Sequence, residues 1–317
     1  MIPDISMDLI LRAKEVVSGH VRRTPLFFSE WLSKETGAEV YLKCENLQRT
    51  GSFKVRGGFA HLGLYPESKK GVVAASAGNH GQGLAIASKT FDVPCTIVVP
   101  KGVPKVKEEA MRSFGARVIL SPFDGYDDTE LWTREQIDEL GGTWVSAFDD
   151  PGVIAGNGGT TGLEIFEEIP DIDTIVVSCG GGGCSIGLGV VAHQQNARVI
   201  GVNSDSSPGM WLSRKEGKAH LKIDSKPTIA EGLEGGVSEV SYRLGLEYID
   251  DVVLAKEADL RKTVPAIARK EKMVVEGSAA AGVAALLDGQ ISGKKIVVVL
   301  TGSNIDPARF STLLQES

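Results

Sequence analysis

Short apolar runs, each followed by a glycine-bearing turn and then a helical stretch, recur along this chain. That recurrence constrains its fold more than any other feature. The runs are Val40-Tyr41-Leu42, Val72-Val73-Ala74-Ala75, Thr96-Ile97-Val98-Val99, Arg117-Val118-Ile119-Leu120, Thr174-Ile175-Val176-Val177, Arg198-Val199-Ile200-Gly201-Val202 and Ile296-Val297-Val298-Val299-Leu300. They are continuous rather than alternating, the mark of strands covered on both faces. The segments between them read as helices, for example 79–91 and 104–114, the latter with Pro104 near its first turn. Near the start, Met7, Ile10, Leu11, Lys14 and Val17 space out like one helix face, closed by Gly19. Alternating strand and helix predicts an α/β protein with mostly parallel sheets. The 317 residues allow two domains at about 150 residues each. The strand–helix units divide into a small domain, 61–148, and a large one, 1–60 together with 149–317.

Charge narrows the function classes. Lys plus Arg is 34 against 41 for Asp plus Glu, a balance of −7, which argues against a nucleic-acid surface. The cysteines, Cys44, Cys95, Cys179 and Cys184, show no zinc-ligand spacing, and such sparse use predicts reduced thiols in a cytoplasmic protein. Met1-Ile2-Pro3-Asp4 has neither the basic nor the apolar part of a signal peptide. No apolar run reaches the roughly 18 residues of a membrane span. The sequence runs to residue 317, shortly after its last helix, and no separate regulatory domain is expected.

Against this background Lys54 stands out. It lies in Thr50-Gly51-Ser52-Phe53-Lys54-Val55-Arg56-Gly57-Gly58, between a glycine turn and a glycine pair, a setting for a lysine held in a defined place. A lysine does covalent work when its amine forms a Schiff base with a carbonyl, and pyridoxal phosphate is the common partner. A second signal is Ser178-Cys179-Gly180-Gly181-Gly182-Gly183-Cys184, between a strand and Ser185-Ile186-Gly187-Leu188. A strand, a glycine run and a helix N-terminus make an anion site, here of a size for one phosphate; the alternative is a flexible glycine loop. A third is Ala75-Ser76-Ala77-Gly78-Asn79-His80-Gly81-Gln82-Gly83, which offers donors to a substrate carboxylate. Asn79 reads either as a helix cap or as a hydrogen-bond partner of a ring oxygen. His80 reads either as packing or as part of the site. A fourth, Thr301-Gly302-Ser303-Asn304-Ile305-Asp306, follows the last strand, where ligands of open α/β sheets sit. Its plainer reading is a loop in which Asp306-Pro307 starts a helix.

Taken in this order, these residues resemble the serine/threonine dehydratase branch of the fold-type II pyridoxal-phosphate enzymes, which also contains serine racemase. The resemblance runs from Arg23-Thr24-Pro25-Leu26 through Lys43-Cys44-Glu45-Asn46-Leu47-Gln48 to the last loop. Ser52-Phe53-Lys54-Val55-Arg56-Gly57 separates it from the cysteine synthases, which typically carry Lys-Asp-Arg there. It implies a tryptophan-synthase-β-like fold with the cofactor between two parallel-sheet α/β domains, and a homodimer. It further implies that Lys54 forms the Schiff base and moves the Cα proton. Phe53 would lie beside the ring, and Asn79 would donate to the ring hydroxyl. Gly180, Gly181, Gly182 and Gly183, with Cys184, would hold the phosphate, Thr301 would meet the pyridine nitrogen, and Gly232 would line the cofactor. Ser76, Ala77, Gly78, Asn79 and His80 would surround the substrate.

The implied activity is dehydration of a β-hydroxy amino acid such as L-threonine or L-serine to a 2-oxo acid and ammonia. The alternatives are a bulkier substrate, of 3-hydroxyaspartate or aryl-serine type, and an amino-acid racemase. Racemases of this family have a serine acid–base group where this chain has Ala77. The positions matched to the family's divalent-cation carboxylates are Asn203, Ser207 and Gly209, so no metal ligand is assigned; Asp205 lies nearby. Two more departures touch the pocket. Ala155-Gly156-Asn157-Gly158-Gly159-Thr160-Thr161-Gly162 replaces a Gly-Gln-Gly-Thr pattern and reads one residue longer, and Glu276-Gly277-Ser278 replaces Glu-Pro-Ser or Glu-Pro-Thr.

Overall fold

The computed structural model describes residues 2–103 and 105–316. Pro104, read above as a first-turn proline, lies outside the described residues; the helix there is Lys105–Ser113. The strands are β1 (Leu26–Phe28), β2 (Glu39–Lys43), β3 (Val72–Ala75), β4 (Cys95–Val99), β5 (Arg117–Leu120), β6 (Thr143–Trp144), β7 (Thr174–Ser178), β8 (Arg198–Ser204), β9 (Asp251–Ala255) and β10 (Lys295–Val299). They form a six-stranded sheet in the order β1-β2-β10-β7-β8-β9 and a four-stranded sheet in the order β5-β4-β3-β6. Every pairing is parallel except β1 with β2.

The apolar runs explain most of this. β3, β4 and β7 are buried along their whole length, as expected where helices cover both faces. β5 is a correction: it is an edge strand, with Val118 buried and Leu120 51% exposed. β1, β6 and β9 are not among the apolar runs read above as strands. β6 has only two residues, β9 opens on a charge, and β1 turns Phe27 and Phe28 outward at a sheet edge. The first helix, Met7–Val17, buries Leu9, Ile10, Ala13 and Val17 and leaves Leu11 48% exposed, because one step of about 100° carries Leu11 past the inner face.

One apolar core runs through the four-stranded sheet and one side of the six-stranded sheet, and a second core covers the other side. The two sheets therefore pack through shared side chains. Among the described residues no helix is long and apolar enough to cross a membrane.

The glycine segment at 155–162 takes a specific form. The helix starting at Pro151–Ile154 passes through one π turn, Ala155–Gly159, and continues as Thr160–Glu168. A π turn is how a helix absorbs one extra residue. The Thr160 and Thr161 hydroxyls donate to the carbonyls of Gly156 (2.5 Å) and Asn157 (2.7 Å). Side chains have no room here. A Cβ on Gly156 would lie 2.5 Å from Ala60 Cβ, and one on Gly158 only 2.0 Å from Cys184 O. The turn is thus wedged between the helix that begins at Lys54 and the helix that begins at Gly183.

Candidate active site

Lys54 is the first residue of the helix Lys54–Leu64. The loop before it is fastened to the loop after β10: Phe53 N–H donates to Thr301 O (3.2 Å) and Ser303 N–H to Gly51 O (2.8 Å). Gly51 has φ +69°, a conformation other side chains rarely take. Behind Lys54, Gly58 and Gly83 let two helices touch backbone to backbone, since a Cβ on Gly58 would sit 2.6 Å from Gly83 O. Gly57 N–H donates to Asn157 Oδ1 of the π turn (2.8 Å).

The position of Lys54 is therefore set by its backbone. Its Nζ is left with one neutral acceptor, Ala147 O at 2.9 Å, and sits 5.3 Å from the Phe53 ring centre. Burial pushes the amine down to about 8, against the opposing pull of Cys184 and Glu276.

Lys54 lines a cavity of about 310 Å³ at the carboxyl ends of the parallel strands. Every site residue expected from the sequence lines that same cavity: Phe53, Lys54, Ser76, Ala77, Gly78, Asn79, His80, the glycines at 180–183, Cys184, Gly232 and Thr301. The glycine loop leads into the 12-residue helix Gly183–Gln194. Gly182 has φ +94°, and a Cβ on Gly181 would lie 2.3 Å from the Phe148 ring. Glycine is required there by packing and by backbone conformation. Burial pushes the Cys184 thiol up to about 12, so it faces the cavity uncharged.

The loop after β3 departs from the cap expectation. Gly78, not Asn79, occupies the cap of the helix Asn79–Phe91. Ser76 Oγ accepts instead from Gly78 N–H (3.2 Å) and Gly81 N–H (3.0 Å). Asn79 already lies inside the helix, so its side chain reaches across the cleft. Its Nδ2 donates to Glu276 Oε1 (2.8 Å) and its Oδ1 accepts from Asn304 Nδ2 (2.7 Å). One Asn79 N–H remains for a ligand. The His80 ring bonds Val145 O through Nε2 at 3.0 Å. Burial, with Lys54 beside it, pushes the imidazole down to about 3, so Nε2 carries the proton and the unpartnered Nδ1 is an acceptor.

Glu276 was not singled out as a site residue. Burial raises its carboxyl to about 7, against the Asn79 bond that favours the charged form. The sequence signal was an acid standing directly before the apolar helix Gly277–Leu287. Gly277 in that motif has no space for a side chain, since a Cβ would lie 2.1 Å from Ile229 O. Ser278 Oγ accepts from Gly232 N–H (2.9 Å), which fixes the edge of the cavity. An outer rim of Lys107, Tyr126, Glu231, Glu234 and Arg309 was also missed.

The positions matched to a cation site serve as loop ties. Asn203 Oδ1 accepts from Trp211 N–H (2.8 Å), Ser207 Oγ pairs with Ser225 Oγ (2.9 Å), and Asp205 Oδ1 accepts from Glu257 N–H (3.0 Å). Among the described residues no group of three or more His, Cys, Asp or Glu could hold a metal.

A lysine amine near neutrality, facing backbone N–H groups at a helix N-terminus, fits a ligand that carries both a carbonyl and a phosphate. Comparison with known proteins points the same way. The family model for pyridoxal-phosphate-dependent enzymes matches residues 17–302. The L-threonine ammonia-lyase of Thermotoga maritima is 41% identical over 95% of this chain and 76% of its own length. The catabolic L-threonine dehydratase of Escherichia coli is 37% identical over 98% of this chain and 96% of its own. Among solved structures, serine racemase from Dictyostelium discoideum superposes with a TM-score of 0.87 at 31% identity, covering 95% of this chain and 99% of that one. The chain belongs to the pyridoxal-phosphate-dependent enzymes, and its fold is that of their serine racemase and threonine deaminase members.

Proposed function

We propose that this pyridoxal-phosphate-dependent enzyme is a lyase that dehydrates a small β-hydroxy amino acid, L-threonine or L-serine, to a 2-oxo acid and ammonia. The observation that carries the proposal is Lys54: a buried amine with one neutral acceptor, lowered to about 8, facing a cavity with a glycine loop on its wall. The cofactor supplies a carbonyl carbon for amines and a ring that draws electrons from the substrate Cα. Lys54 would hold the cofactor at that carbon through Nζ. The Lys54 amine would be placed to take the Cα proton, because an amine near 8 is partly neutral at physiological pH. The N–H groups of residues 180–183, with Cys184, would hold the phosphate, and Phe53 and Gly232 would flank the ring. The free Asn79 N–H is assigned to the ring hydroxyl.

Thr301 is assigned to the pyridine nitrogen. A hydroxyl there would not demand a protonated ring, so the cofactor's electron withdrawal would stay moderate, which suits loss of the β-hydroxyl. Ser76, Ala77 and Gly78 surround the substrate carboxylate at the start of the helix Asn79–Phe91. His80, neutral with Nδ1 free to accept, suits a donor group of the substrate better than its carboxylate. The small domain 61–148, a homodimeric state and a cytoplasmic setting belong to the same proposal.

Purified protein saturated with pyridoxal phosphate should release ammonia and 2-oxo acid from L-threonine or L-serine. Absence of release across serine, threonine, 3-hydroxyaspartate and aryl-serines would sink the proposal. Ala77 speaks against racemisation, since its methyl group has no proton to give. Chiral analysis checks this: D-serine formed rapidly without pyruvate would overturn the lyase assignment.

A further inference from the structure

The cavity rim carries a charge arrangement that bears on substrate class. Lys107, on the helix Lys105–Ser113 of the four-stranded unit, places Nζ 2.5 Å from Glu231 Oε2. Arg309, on the helix Pro307–Gln315, pairs with the other oxygen, Glu231 Oε1. Glu231 sits on the one-turn helix Glu231–Leu233, directly before Gly232, and all three side chains line the cavity. Their exposures of 30%, 45% and 43% for Lys107, Arg309 and Glu231 put them at the solvent side of the site. Glu234 lines the same rim, and its carboxylate has no hydrogen-bond partner among the described residues.

We infer that Glu231, seconded by Glu234, sets the substrate class: it occupies both rim cations, so the site takes a β-hydroxy amino acid with a neutral side chain and rejects one with a side-chain carboxylate. This rests on the lyase function proposed above and narrows it. A substrate anion entering the rim would have to displace Glu231 from Lys107 or Arg309 and would then lie beside two carboxylates. The hydrogen or methyl group of serine or threonine meets no such penalty. Selectivity of this kind comes from repulsion built against the wrong ligand as much as from attraction to the right one. Without Glu231, the same two cations would attract a dicarboxylic amino acid.

The test uses the holoenzyme and the variants Glu231→Gln and Glu234→Gln. kcat/KM is measured for L-threonine and for 3-hydroxyaspartate, and malonate binding is measured separately by the quench of cofactor fluorescence. Wild type should favour threonine by about 100-fold or more, and Glu231→Gln should shift the ratio toward 3-hydroxyaspartate by about 10-fold or more, with a similar tightening of malonate. Glu234→Gln, which breaks no hydrogen bond, should shift both in the same direction by less. The gains should fade as salt is raised from about 0.05 to about 0.5 M, because half-exposed charges are screened. An unchanged ratio and unchanged malonate affinity in both variants, or a wild type that prefers 3-hydroxyaspartate, would overturn the inference. If wild type turns over neither substrate, the lyase proposal fails, and the malonate measurement still decides whether Glu231 masks the rim cations.

Discussion

Lys43 and Lys54 lie eleven positions apart and both turn their amines inward, yet their surroundings differ in kind. Lys43 Nζ donates to Glu164 Oε2 (2.6 Å) and Thr24 O (2.7 Å), within a group that also holds Arg56 and Glu45. Arg56 donates to both oxygens of Glu45 (2.9 and 2.8 Å) and to both of Glu164 (2.7 and 2.9 Å). Two cations and two carboxylates cancel, and their donors find acceptors. Burial works to raise the Glu45 carboxyl, but Arg56 overrides it and holds Glu45 below its ordinary range. Lys54 has one backbone carbonyl and a cavity. A buried cation with a full set of partners keeps its proton and holds structure together. A buried cation short of partners holds its proton less tightly and becomes available for chemistry.

Substitutions can break this contrast. The largest effect is expected from Lys54→Ala, which should lower 2-oxo acid release by about 10³-fold or more while leaving the fold intact. Retained turnover would remove Lys54 from its role. Glu164→Ala should do the reverse. It leaves Lys43 and part of Arg56 unpaired and should destabilise the protein by about 3–5 kcal/mol in urea unfolding.

Protonation sharpens the contrast further. Only a neutral amine attacks a carbonyl, so the rate at which cofactor-free protein takes up pyridoxal phosphate should rise with pH and level off above about 8. A plateau reached only near 10.5 would mean that Lys54 is an ordinary lysine. Stability carries the same signature. The folded amine titrates near 8 and the unfolded one near 10.5, so the folded state binds fewer protons between them. The stability of the cofactor-free protein should therefore rise across that window and be lowest below it. Lys54→Met should remove the dependence and gain at most about 3 kcal/mol at pH 7. The smallest effect is expected at Glu276. Its folded carboxyl, raised from 4.5 to about 7, binds more protons than the unfolded one in that window, so stability falls as pH climbs through it. Glu276→Gln should flatten this slope, as thermal unfolding at a series of pH values would reveal.

Much of the site was legible because its residues sit in loops with distinctive local composition. Lys54 between glycines, the glycine run at 180–183 and the Ser76 loop all declare themselves over a few positions. What escaped was set by distance in sequence. Asn79 is turned away from capping by Glu276 and Asn304, nearly two hundred positions or more along the chain. The rim joins Lys107, Glu231 and Arg309 from three separate elements. The two-residue strand β6 is too short to show as an apolar run, and the three apolar residues of β1 stand alone after Pro25 with two of them facing outward.

Hydrogen-bond partners alone do not mark a reaction centre, as His61 shows. Its Nε2 lies 2.9 Å from Ser68 Oγ and its Nδ1 3.0 Å from Asp150 Oδ2, the distances of an acyl-transfer triad. Ser68 is 0% and His61 2% exposed, and Nδ1 is not aligned with the carboxylate as a hydrogen bond. No substrate reaches that serine.

The π turn at Ala155–Gly159 shows how a helix can carry one more residue than an unbroken α-helix would. One residue added to a straight α-helix would swing everything beyond it by about 100°. Glu164, on the next stretch, would then point away from Lys43 and Arg56. The widened turn absorbs the added residue where it stands, and the downstream residues keep their heading. A variant with one glycine of the turn deleted should settle into an unbroken α-helix with that cluster still assembled.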